Sequence, residues 1–452
     1  MSSFDFNKFR GRRVGLFGLG KSNASILSAL PDGTEVILRS ENTLPHLPQT
    51  EARILAAYTG ERAFENPTED LLILSPSVRR ERTEFIPFLR SGTEFTSDCE
   101  LFFKAVSAPV FAVSGSDGKS TVTILTSLLL SERFGYSPAI GNLGVPMLTS
   151  VSPRARAYVT ELSSFMLSYG RYRTFRGAIT NITENHLDWH KSYNEYIRAK
   201  LSLFSRSEEP VLNADDPLCA AYFDGMTPWG VASVTQGYAE LKKKFRAQAI
   251  YTKEDGFIKR CGEPVIPISE INRREEHNLK NLTLALALTD GYVSRDHMKK
   301  VAREFTGLPH RCEVFLERDG MTFVDSSVDS TPSRTATTLN SFGRRVIVIL
   351  GGKGKNLSYE PLCAPLRKWA SLAVIVGENR EEILNTVEGS CPCRTAQDAE
   401  EGAALALSLM QKGDVLILSP ASTSFDKYRD YADRGRKFKE VIFNYFDNKT
   451  SK

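Results

Sequence analysis

The sequence predicts an α/β protein built from three parallel-sheet units. Short runs of apolar residues recur along the chain, each bounded by turn residues, as is typical of strands buried on both faces of a parallel sheet. Segments with helical periodicity alternate with these runs, and this alternation favours β–α–β connections. The length of 452 residues suffices for about three domains at roughly 150 residues each.

The predicted strands fall into three groups along the chain. They cover residues 13–20, 36–38 and 71–74 in the first unit, 110–113, 157–159 and 178–180 in the second, and 346–350, 373–376 and 415–418 in the third. A polar stretch at 94–100 separates the first two groups, and Pro309 disfavours helix for its predecessor at the second seam. We therefore expect domains at 1–97, 98–307 and 308–452.

The composition is that of an ordinary globular protein. Lys and Arg number 58 against 54 Asp and Glu, and hydrophobic residues make up 41%, which excludes a disordered, collagen-like or coiled-coil chain. The near balance of charge gives no reason to expect a nucleic-acid surface. Seven scattered cysteines without a two-residue-spaced pair predict a reduced, cytoplasmic protein, and the polar N-terminus and short apolar runs predict no signal peptide or membrane insertion.

A phosphate-binding loop is the strongest local signal. The segment SGSDGKST, residues 114–121, follows a predicted buried strand and opens an apolar helix, where backbone N–H groups and the helix N-terminus can hold an anion. Lys119 would reach the terminal phosphates and Ser120 would ligate Mg²⁺. The usual longer pattern has glycine at the position of Val113, so this is a short GxxGKS form. The alternative is a glycine-rich turn without a ligand.

Polar residues follow two other strands of the second unit. Glu161 comes directly after the strand at 157–159, and His186 follows the strand at 178–180. Ligands in open α/β sheets collect at the carboxyl ends of the strands, so both side chains are expected at the edge that carries the phosphate loop. A carboxylate and an imidazole suit Mg²⁺ or Mn²⁺. Polar capping of the strand ends is the alternative.

Three further features are weaker on their own. Lys200 lies on an amphipathic helix, where a lysine is normally solvated. Asn278 and Asn281 stand at the start of an apolar helix and are equally consistent with helix caps. Gly15-x-x-Gly18-x-Gly20 is similar to a dinucleotide-binding loop, but Asn23 stands where a third glycine would be expected.

Taken in order, these motifs resemble those of the Mur ligase family. Besides the short ATP loop, they are IGNLG at 140–144, ELSSF at 161–165, TENHLD at 183–188, NADD at 213–216, HN at 277–278, LPHR at 308–311, GG at 351–352 and LSPAS at 418–422. The final block, SFD at 424–426 through RGxxF at 434–438, is most similar to the members that add D-glutamate. The resemblance covers nearly the whole chain.

The resemblance implies a fold and an activity. It implies a Rossmann-like N-terminal domain for a UDP-sugar, a central P-loop ATPase-type domain and a Rossmann-like C-terminal domain for the incoming amino acid. The implied enzyme is an ATP-dependent ligase that adds D-glutamate to UDP-N-acetylmuramoyl-L-alanine through an acyl phosphate, in peptidoglycan precursor synthesis. A cytoplasmic monomer that uses ATP and two Mg²⁺ ions is expected.

The resemblance also assigns residues to each substrate. The ATP-binding positions are Gly115, Ser116, Asp117, Gly118, Lys119, Ser120, Thr121, Asn278, Asn281, Arg311 and Asp325. The UDP-sugar positions are Gly18, Leu19, Gly20, Lys21, Ser22, Arg39, Ser75 and Asn142, and the amino-acid positions are Lys355, Ser424 and Tyr431. Metal ligands would be Ser120, Glu161 and His186 together with Lys200, which matches a lysine that the family carbamylates with CO₂.

One position departs from the family pattern. Where members carry a lysine near the amino-acid substrate, this chain has Ser327, and we expect Lys353 or Arg334 to supply the missing charge. A relative that adds L-lysine, diaminopimelate or a folate glutamate is therefore the near alternative. A P-loop NTPase acting on a protein partner is an alternative from another class, but it would leave the C-terminal third idle. A nicotinamide oxidoreductase would not explain Lys119 and Ser120.

Overall fold

The computed structural model of the protein describes residues 4–187, 189–342, 344–354 and 357–450, without the side chains of residues 341 and 448–450. The chain divides into two compact units, Met1–Phe305 and Thr306–Lys452. The first unit contains a five-stranded and a nine-stranded sheet, and the second contains a six-stranded sheet. The predicted α/β class is confirmed.

The five-stranded sheet is entirely parallel and has the order β3-β2-β1-β4-β5. Its strands are β1 (Arg13–Phe17), β2 (Glu35–Ser40), β3 (Arg53–Thr59), β4 (Leu71–Leu74) and β5 (Glu94–Thr96). The accompanying helices are α1 (Lys21–Ala29), α2 (Ile86–Arg90) and α3 (Asp98–Ala105). Strand order reverses on either side of β1, so the loop after β1 opens at a switch point, where ligands commonly bind.

The nine-stranded sheet has the order β14-β13-β12-β11-β10-β9-β6-β8-β7. Its strands are β6 (Val110–Ser114), β7 (Ala139–Gly141), β8 (Tyr158–Glu161), β9 (Thr174–Ile179), β10 (Ser207–Asn213), β11 (Gly230–Ser233), β12 (Ala249–Glu254), β13 (Phe257–Arg260) and β14 (Glu263–Pro267). Its helices are α4 (Lys119–Phe134), α5 (Ser164–Tyr169), α6 (Tyr193–Arg206), α7 (Pro217–Tyr222), α8 (Tyr238–Lys244), α9 (Glu276–Leu288) and α10 (Arg295–Glu304). The strands from β7 to β12 are parallel, whereas β12, β13 and β14 form an antiparallel extension.

The six-stranded sheet has the order β15-β16-β20-β17-β18-β19. Its strands are β15 (Glu313–Arg318), β16 (Met321–Asp325), β17 (Val346–Gly351), β18 (Ala370–Val376), β19 (Cys393–Thr395) and β20 (Val415–Leu418). Its helices are α11 (Pro332–Phe342), α12 (Cys363–Trp369), α13 (Arg380–Val387), α14 (Ala399–Leu409) and α15 (Tyr431–Thr450). Only the β15–β16 pair is antiparallel in this described sheet.

The parallel strands form where continuous apolar runs were predicted. In β4, β17 and β20 every residue is buried, because helices cover both faces of a parallel sheet. Several missed strands lie at sheet edges, among them β3, which is exposed at five of its seven residues. The interior strands β11 and β16 were missed as well, although all their residues are buried, because polar residues interrupt their apolar pattern.

One core connects the two sheets of the first unit. A single cluster of buried side chains includes Val14 from the five-stranded sheet and Tyr158 from the nine-stranded sheet. Polar contacts reinforce this core: Arg79 donates to the Trp189 carbonyl at 2.6 Å and pairs with Glu195 at 2.9 Å. The unit Thr306–Lys452 has its own buried clusters on the two faces of its sheet. No helix within the described residues is long and apolar enough to cross a membrane.

Candidate active site

The phosphate loop connects β6 to α4 in a conformation that only glycine adopts easily. Gly115 has φ +139° and Gly118 has φ +77°, values that strain residues with a side chain. Space is short as well, since a Cβ on Gly115 would lie 1.8 Å from Thr180 Oγ1 and one on Gly118 would lie 2.5 Å from Asn281 Oδ1. The loop is therefore closely packed against the end of β9 and the start of α9.

Residues after β9 hold the loop in place. The Ser116 amide donates to the Asn181 carbonyl at 2.8 Å, and the Asp117 amide donates to Asn181 Oδ1 at 3.0 Å. Ser116 Oγ lies 2.8 Å from the Tyr196 hydroxyl, which brings α6 to the loop. Neither Asn181 nor Tyr196 was among the predicted site residues, because such contacts depend on which strands are neighbours in the sheet.

Two lysines lie at the loop. Lys119 Nζ donates to the Ser116 carbonyl at 2.8 Å, and Lys200 Nζ donates to the Gly115 carbonyl at 2.6 Å. Lys200 is only 2% exposed, although its helical position suggested a solvated side chain. Burial, and secondarily repulsion by Lys119, holds the Lys200 pKa well below its usual value. Its amine is thus poised toward the neutral, nucleophilic form.

Glu161 ends β8, next to β6 in the sheet, and is 2% exposed. Its Oε1 accepts a hydrogen bond of 2.6 Å from Asn142 Nδ2. Its Oε2 is buried and has no hydrogen-bond partner among the described residues. Burying a carboxylate oxygen without a hydrogen-bond donor costs free energy of folding, and a bound cation would remove that cost by coordinating the oxygen. The site therefore fits the carboxylate ligand that a Mg²⁺ ion needs.

The predicted histidine is exposed in the loop after β9. His186 has φ +55°, which is uncommon for a residue with a side chain, and its ring lies 5.1 Å from the Phe165 ring. Its neighbour His190 is 2% exposed and its Nε2 lies 2.9 Å from Ser164 Oγ. Burial lowers the pKa of His190, which keeps it neutral and structural. Of the two histidines, His186 is the exposed one.

The predicted asparagines sit on the first turns of α9. Asn278 is 9% exposed and donates to Glu275 Oε2 at 2.9 Å, a contact typical of a helix start. Asn281 faces the loop, as its close approach to Gly118 requires. Of the remaining loop residues, Asp117 is exposed, Ser120 is half buried and Thr121 is buried.

A cavity of about 240 Å³ opens beside the loop after β1. Its lining includes five of the predicted UDP-sugar residues, namely Gly20, Lys21, Ser22, Ser75 and Asn142. Asn142 also binds Glu161, so the cavity adjoins the carboxylate of the candidate metal site.

Asn23 explains the missing third glycine of the first loop. Its side-chain amide donates to the carbonyls of Phe17, Gly18 and Ile73 at 2.9–3.2 Å. These hydrogen bonds hold the backbone of the loop after β1 in place. Gly18 itself has φ +77° and approaches Ser75 closely. Leu19 is buried in the core at 9% exposure.

Arg39 is fully buried, and its guanidinium is occupied by an ion pair and hydrogen bonds within the first unit. It forms an ion pair with Glu69 and donates to the carbonyls of Ala63, Glu65 and Asn66. The Arg39 carbonyl accepts from Gly18 at 2.8 Å, which ties β2 to the loop after β1. A contact between this side chain and a uracil would require it to leave these partners.

In the second unit, Asp325 ends β16 and is fully buried. Its Oδ2 lies 2.6 Å from His310 Nδ1 and 3.4 Å from Lys439 Nζ. Glu313 completes a set of three metal-capable side chains here, but Lys439 also pairs with Glu313 at 2.6 Å. The ammonium of Lys439 contacts both carboxylates and offsets one of their two negative charges, so the cluster is an ion-pair network within the second unit. Arg311 follows His310 and is half buried.

A buried arginine, Arg434, contacts Ser327, the residue that stands where family members carry a lysine. Arg434 is 1% exposed; its Nε donates to Ser327 Oγ at 3.0 Å, and its remaining nitrogens donate to the carbonyls of Ser327, Ser422 and Thr423 at 3.0–3.1 Å. Burial lowers its pKa to about 10, so it stays charged at neutral pH. The motif RGxxF contains this residue, but nothing in the residue pattern indicates its contact with Ser327.

Two of the three predicted amino-acid residues, Ser424 and Tyr431, lie next to contacts of this arginine. Ser327 Oγ donates to the Tyr431 carbonyl at 2.8 Å, and Tyr431 is 40% exposed. Ser424 is 3% exposed and follows Thr423, whose backbone pairs with Lys353. Lys353 and Arg334 are exposed. Lys355 lies outside the described residues.

Two family models match the chain. The Mur ligase middle domain matches residues 113–289, and the Mur ligase glutamate ligase domain matches residues 310–422. The two matches contain the phosphate loop, Glu161 and Lys200 in the first unit, and Asp325 and Lys353 in the second.

Full-length relatives and solved structures agree with these matches. A protein of Acetivibrio thermocellus named UDP-N-acetylmuramoylalanine–D-glutamate ligase is 33% identical, with 97% of this chain and 98% of the relative covered. One of the same name from Clostridium botulinum strain Okra is 31% identical, covering 97% and 99%. A solved UDP-N-acetylmuramate-alanine ligase of Thermotoga maritima shares the fold, with a TM-score of 0.61 at 15% identity over 96% of this chain and 100% of that one. By its full-length relatives and both family models, the chain belongs to the Mur ligase family.

Proposed function

We propose that the chain is the ATP-dependent ligase that joins D-glutamate to UDP-N-acetylmuramoyl-L-alanine in the cytoplasm. The observation that carries the proposal is the pairing of the phosphate loop with the buried, half-satisfied carboxylate of Glu161, in a chain related over 97% of its length to D-glutamate ligases. Residues 1–97 would bind the UDP-sugar, 98–307 ATP, and 308–452 the amino acid. All seven cysteines are free, as expected in a reducing compartment.

The first step activates the substrate carboxylate. Its oxygen attacks the γ-phosphorus of ATP, the bond to the β,γ-bridging oxygen breaks, and an acyl phosphate and ADP result. The amides of the phosphate loop and the ammonium of Lys119 stabilise the charge on the transferring group. For this, Lys119 exchanges its hydrogen bond to the Ser116 carbonyl for a phosphate oxygen.

Mg²⁺ fits the donors at this edge of the sheet. Ser120 and Glu161 would hold one ion, and Glu161 with His186 a second, while Mn²⁺ suits the mixed donor set equally. Bound there, the ions supply neutralisation of the phosphate charge. The chain's own contribution is the orientation of Glu161, which Asn142 fixes through its hydrogen bond.

Lys200 fits the carbamate that the family resemblance implies. A neutral amine adds to CO₂, forming an N–C bond and releasing one proton, and the buried environment of Lys200 lowers its pKa toward that form. The anionic carbamate would lie beside the cation of Lys119 and relieve the repulsion between the two lysines. Its oxygens would then orient the phosphate-bound metal.

The second step forms the peptide bond. The neutral amine of D-glutamate attacks the acyl carbon, a tetrahedral intermediate forms, and phosphate leaves while the nitrogen loses a proton. Arg434 would hold Ser327 and the loop of Ser422 and Thr423 in place beneath the amino acid. Lys353 and Arg334 remain the proposed source of charge for a substrate carboxylate.

An amino-acid panel tests the proposed substrate. Phosphate release is measured with ATP, Mg²⁺ and UDP-N-acetylmuramoyl-L-alanine, adding D-glutamate, L-lysine, diaminopimelate or no amino acid. We expect turnover with D-glutamate alone. Turnover with L-lysine or diaminopimelate but not D-glutamate would assign a different ligase, and ATP hydrolysis that needs no acceptor would point to an NTPase.

Matched variants tie the activity to the site. Lys119→Ala is expected to lower kcat by at least about 100-fold, in the range found for removal of a group that stabilises transition-state charge. Exposed Lys191 offers the control, and Lys191→Ala should retain wild-type turnover.

For the proposed carbamate, Lys200→Ala should be inactive and should regain activity with a short carboxylic acid such as acetate. Full activity of Lys200→Ala without acetate would contradict the assignment.

A further inference from the structure

A second and larger cavity in the first unit is lined mainly by cations. It has a volume of about 610 Å³ and lies between the end of β5, α3, the loop after α5 and the end of α6. Its charged lining consists of four cations, Arg80, Lys104, Arg171 and Arg206, and one carboxylate, Glu100. The volume is in the range of about 300–1,000 Å³ that small-molecule sites occupy.

The single carboxylate is already neutralised. Arg80 binds both oxygens of Glu100, at 3.2 Å from Nη1 to Oε1 and through a second contact to Oε2. Ser97 Oγ lies a further 3.2 Å from Oε2. Glu100 therefore has no charge left to offer the other cations of the cavity.

The other three cations have no carboxylate partner. Within the described part of the chain, no Asp or Glu oxygen lies within 4 Å of the side-chain nitrogens of Lys104, Arg171 or Arg206. Arg206 is the most telling, because its Nη1 is buried and has no hydrogen-bond acceptor among the described residues. Its guanidinium lies 5.5 Å from the centre of the Tyr172 ring, which restricts its position.

This arrangement differs from ordinary surface charge. Solvated lysines and arginines are common and need no explanation, and Lys104 and Arg171 are indeed exposed. A buried guanidinium nitrogen without an acceptor, however, costs free energy. Like charges gathered around one concave space add to that cost. An anion in the cavity would offset this gathered positive charge.

The cavity is separate from the proposed substrate sites. It shares no lining residue with the cavity beside the loop after β1, and it contains no residue of the phosphate loop. Arg80 and Tyr169 also line a small space next to Ser75 and Phe165, which border the UDP-sugar cavity. The two cavities are thus neighbours that use different side chains.

We propose that this cavity binds a small molecule carrying a chain of two or three phosphates. Arginine forks and an ammonium are the groups that recognise phosphate oxygens, and the cavity supplies three such cations that have no carboxylate partner among the described residues. Arg206 and Arg171 would take terminal oxygens, and Lys104 would act as a point charge at the open side. The proposal does not depend on the proposed ligase activity.

Calorimetric titration with inorganic tripolyphosphate tests the site. The full chain carries Lys119→Ala to weaken the phosphate loop, and Mg²⁺ is omitted so that the probe is not chelated. We expect one molecule bound per chain. In the added double variant Lys104→Ser/Arg171→Ser, the Kd should rise at least about tenfold, equivalent to about 1.4 kcal/mol. Both side chains are exposed, so folding is not endangered.

A matched control removes two other cations. Lys242→Ser/Lys243→Ser lies on exposed positions of α8 in the same unit and should leave the Kd within about twofold. Arg206→Gln provides an independent variant and should weaken binding as the double variant does. The proposal is overturned if the cavity variants and the α8 control give the same Kd, if no 1:1 binding is seen, or if citrate binds more tightly than tripolyphosphate.

Discussion

Lys200 shows how much a residue's role depends on its surroundings. On its helix it has the pattern of a surface lysine, but α6 packs against the nine-stranded sheet and its ammonium reaches the carbonyl of Gly115. Burial at 2% exposure and the nearby charge of Lys119 both disfavour its protonated form. A lysine buried in this way destabilises the fold when it is protonated.

The pH dependence of stability follows from this depressed pKa. Below 10.5, the usual pKa of lysine, the unfolded chain binds a proton that the folded chain resists, so stability increases with pH. In CO₂-free, metal-free buffer near pH 7, we expect Lys200→Met to be more stable than the wild type by roughly 1–2 kcal/mol. This advantage should shrink as the pH approaches 10.5. Urea unfolding across the pH range measures it.

Exposed Lys191 provides the comparison for that experiment. Lys191→Met should follow the wild-type stability curve at every pH, because its ammonium is solvated in both states. A difference between Lys200→Met and the wild type that stays constant from pH 7 to pH 10 would mean that protonation of Lys200 does not limit stability.

The site residues that follow predicted strands could be identified from the sequence. The site residues that are brought together only by the packing of helices on the sheets could not. Gly118, Lys119 and Glu161 follow predicted strands, so their placement at one edge of the sheet required only the rule for parallel sheets. The contact of Arg434 with Ser327 joins residues 107 positions apart. Pattern and propensity contain no information on such a pairing, since it arises only when α15 packs onto the sheet.

At the scale of elements, the turn after β7 controls the relation between two sites. Gly141 has φ +98°, and a Cβ there would lie 2.5 Å from the backbone carbonyl oxygen of Glu161. The next residue, Asn142, lines the cavity proposed for the UDP-sugar and donates a hydrogen bond to the Glu161 carboxylate. The close approach of β7 to β8 therefore fixes the distance between this cavity and the candidate metal ligand.

Gly141→Ala should damage both stability and substrate binding. The positive φ costs about 1–2 kcal/mol for a residue with a side chain, and the clash with backbone adds about 1–3 kcal/mol. We expect a loss of roughly 2–5 kcal/mol in unfolding free energy, together with a raised KM for the UDP-sugar as Asn142 shifts. Urea unfolding and steady-state kinetics measure the two effects.

Gly135 is the control for Gly141, because it has a positive φ but no close neighbour that a side chain would meet. It has φ +76° at the end of α4, but a Cβ there would meet nothing within 4 Å. Gly135→Ala should therefore cost only the strain of about 1–2 kcal/mol and leave the KM unchanged. Equal losses in the two variants would show that packing around Gly141 is looser than the structure indicates.

Continuous apolar runs, more than burial itself, explain which strands were predictable, since β11 and β16 are also fully buried but contain polar residues and were missed. The central strands β6, β17 and β20 are buried at every residue, and continuous apolar runs indicated all three. The antiparallel extension β13–β14 and the strand β15 are partly exposed. Their mixed polar and apolar residues fit a loop or a strand equally well, so only the pairing with a neighbour reveals them.

At the scale of the molecule, cores define the folding units. The sequence predicted three domains, and the structure contains three sheets in two compact units. The first two sheets share a core that includes Val14 and Tyr158, and side chains such as Trp189, which donates to the Ser77 carbonyl at 2.6 Å, connect them. The buried clusters described for the six-stranded sheet, by contrast, are formed by residues between 315 and 446.

Chain fragments should reproduce this division. Residues 306–452 contain all strands and buried clusters of their sheet, so we expect this fragment to unfold cooperatively in urea and to show the near-ultraviolet dichroism of fixed aromatic rings. Residues 1–97 would lose the partners of Val14 across the shared core and should expose apolar surface that binds a hydrophobic dye. Residues 1–305, as the control, should unfold cooperatively without dye binding. A 1–97 fragment as cooperative as 1–305 would mean that the shared core is not needed for its stability.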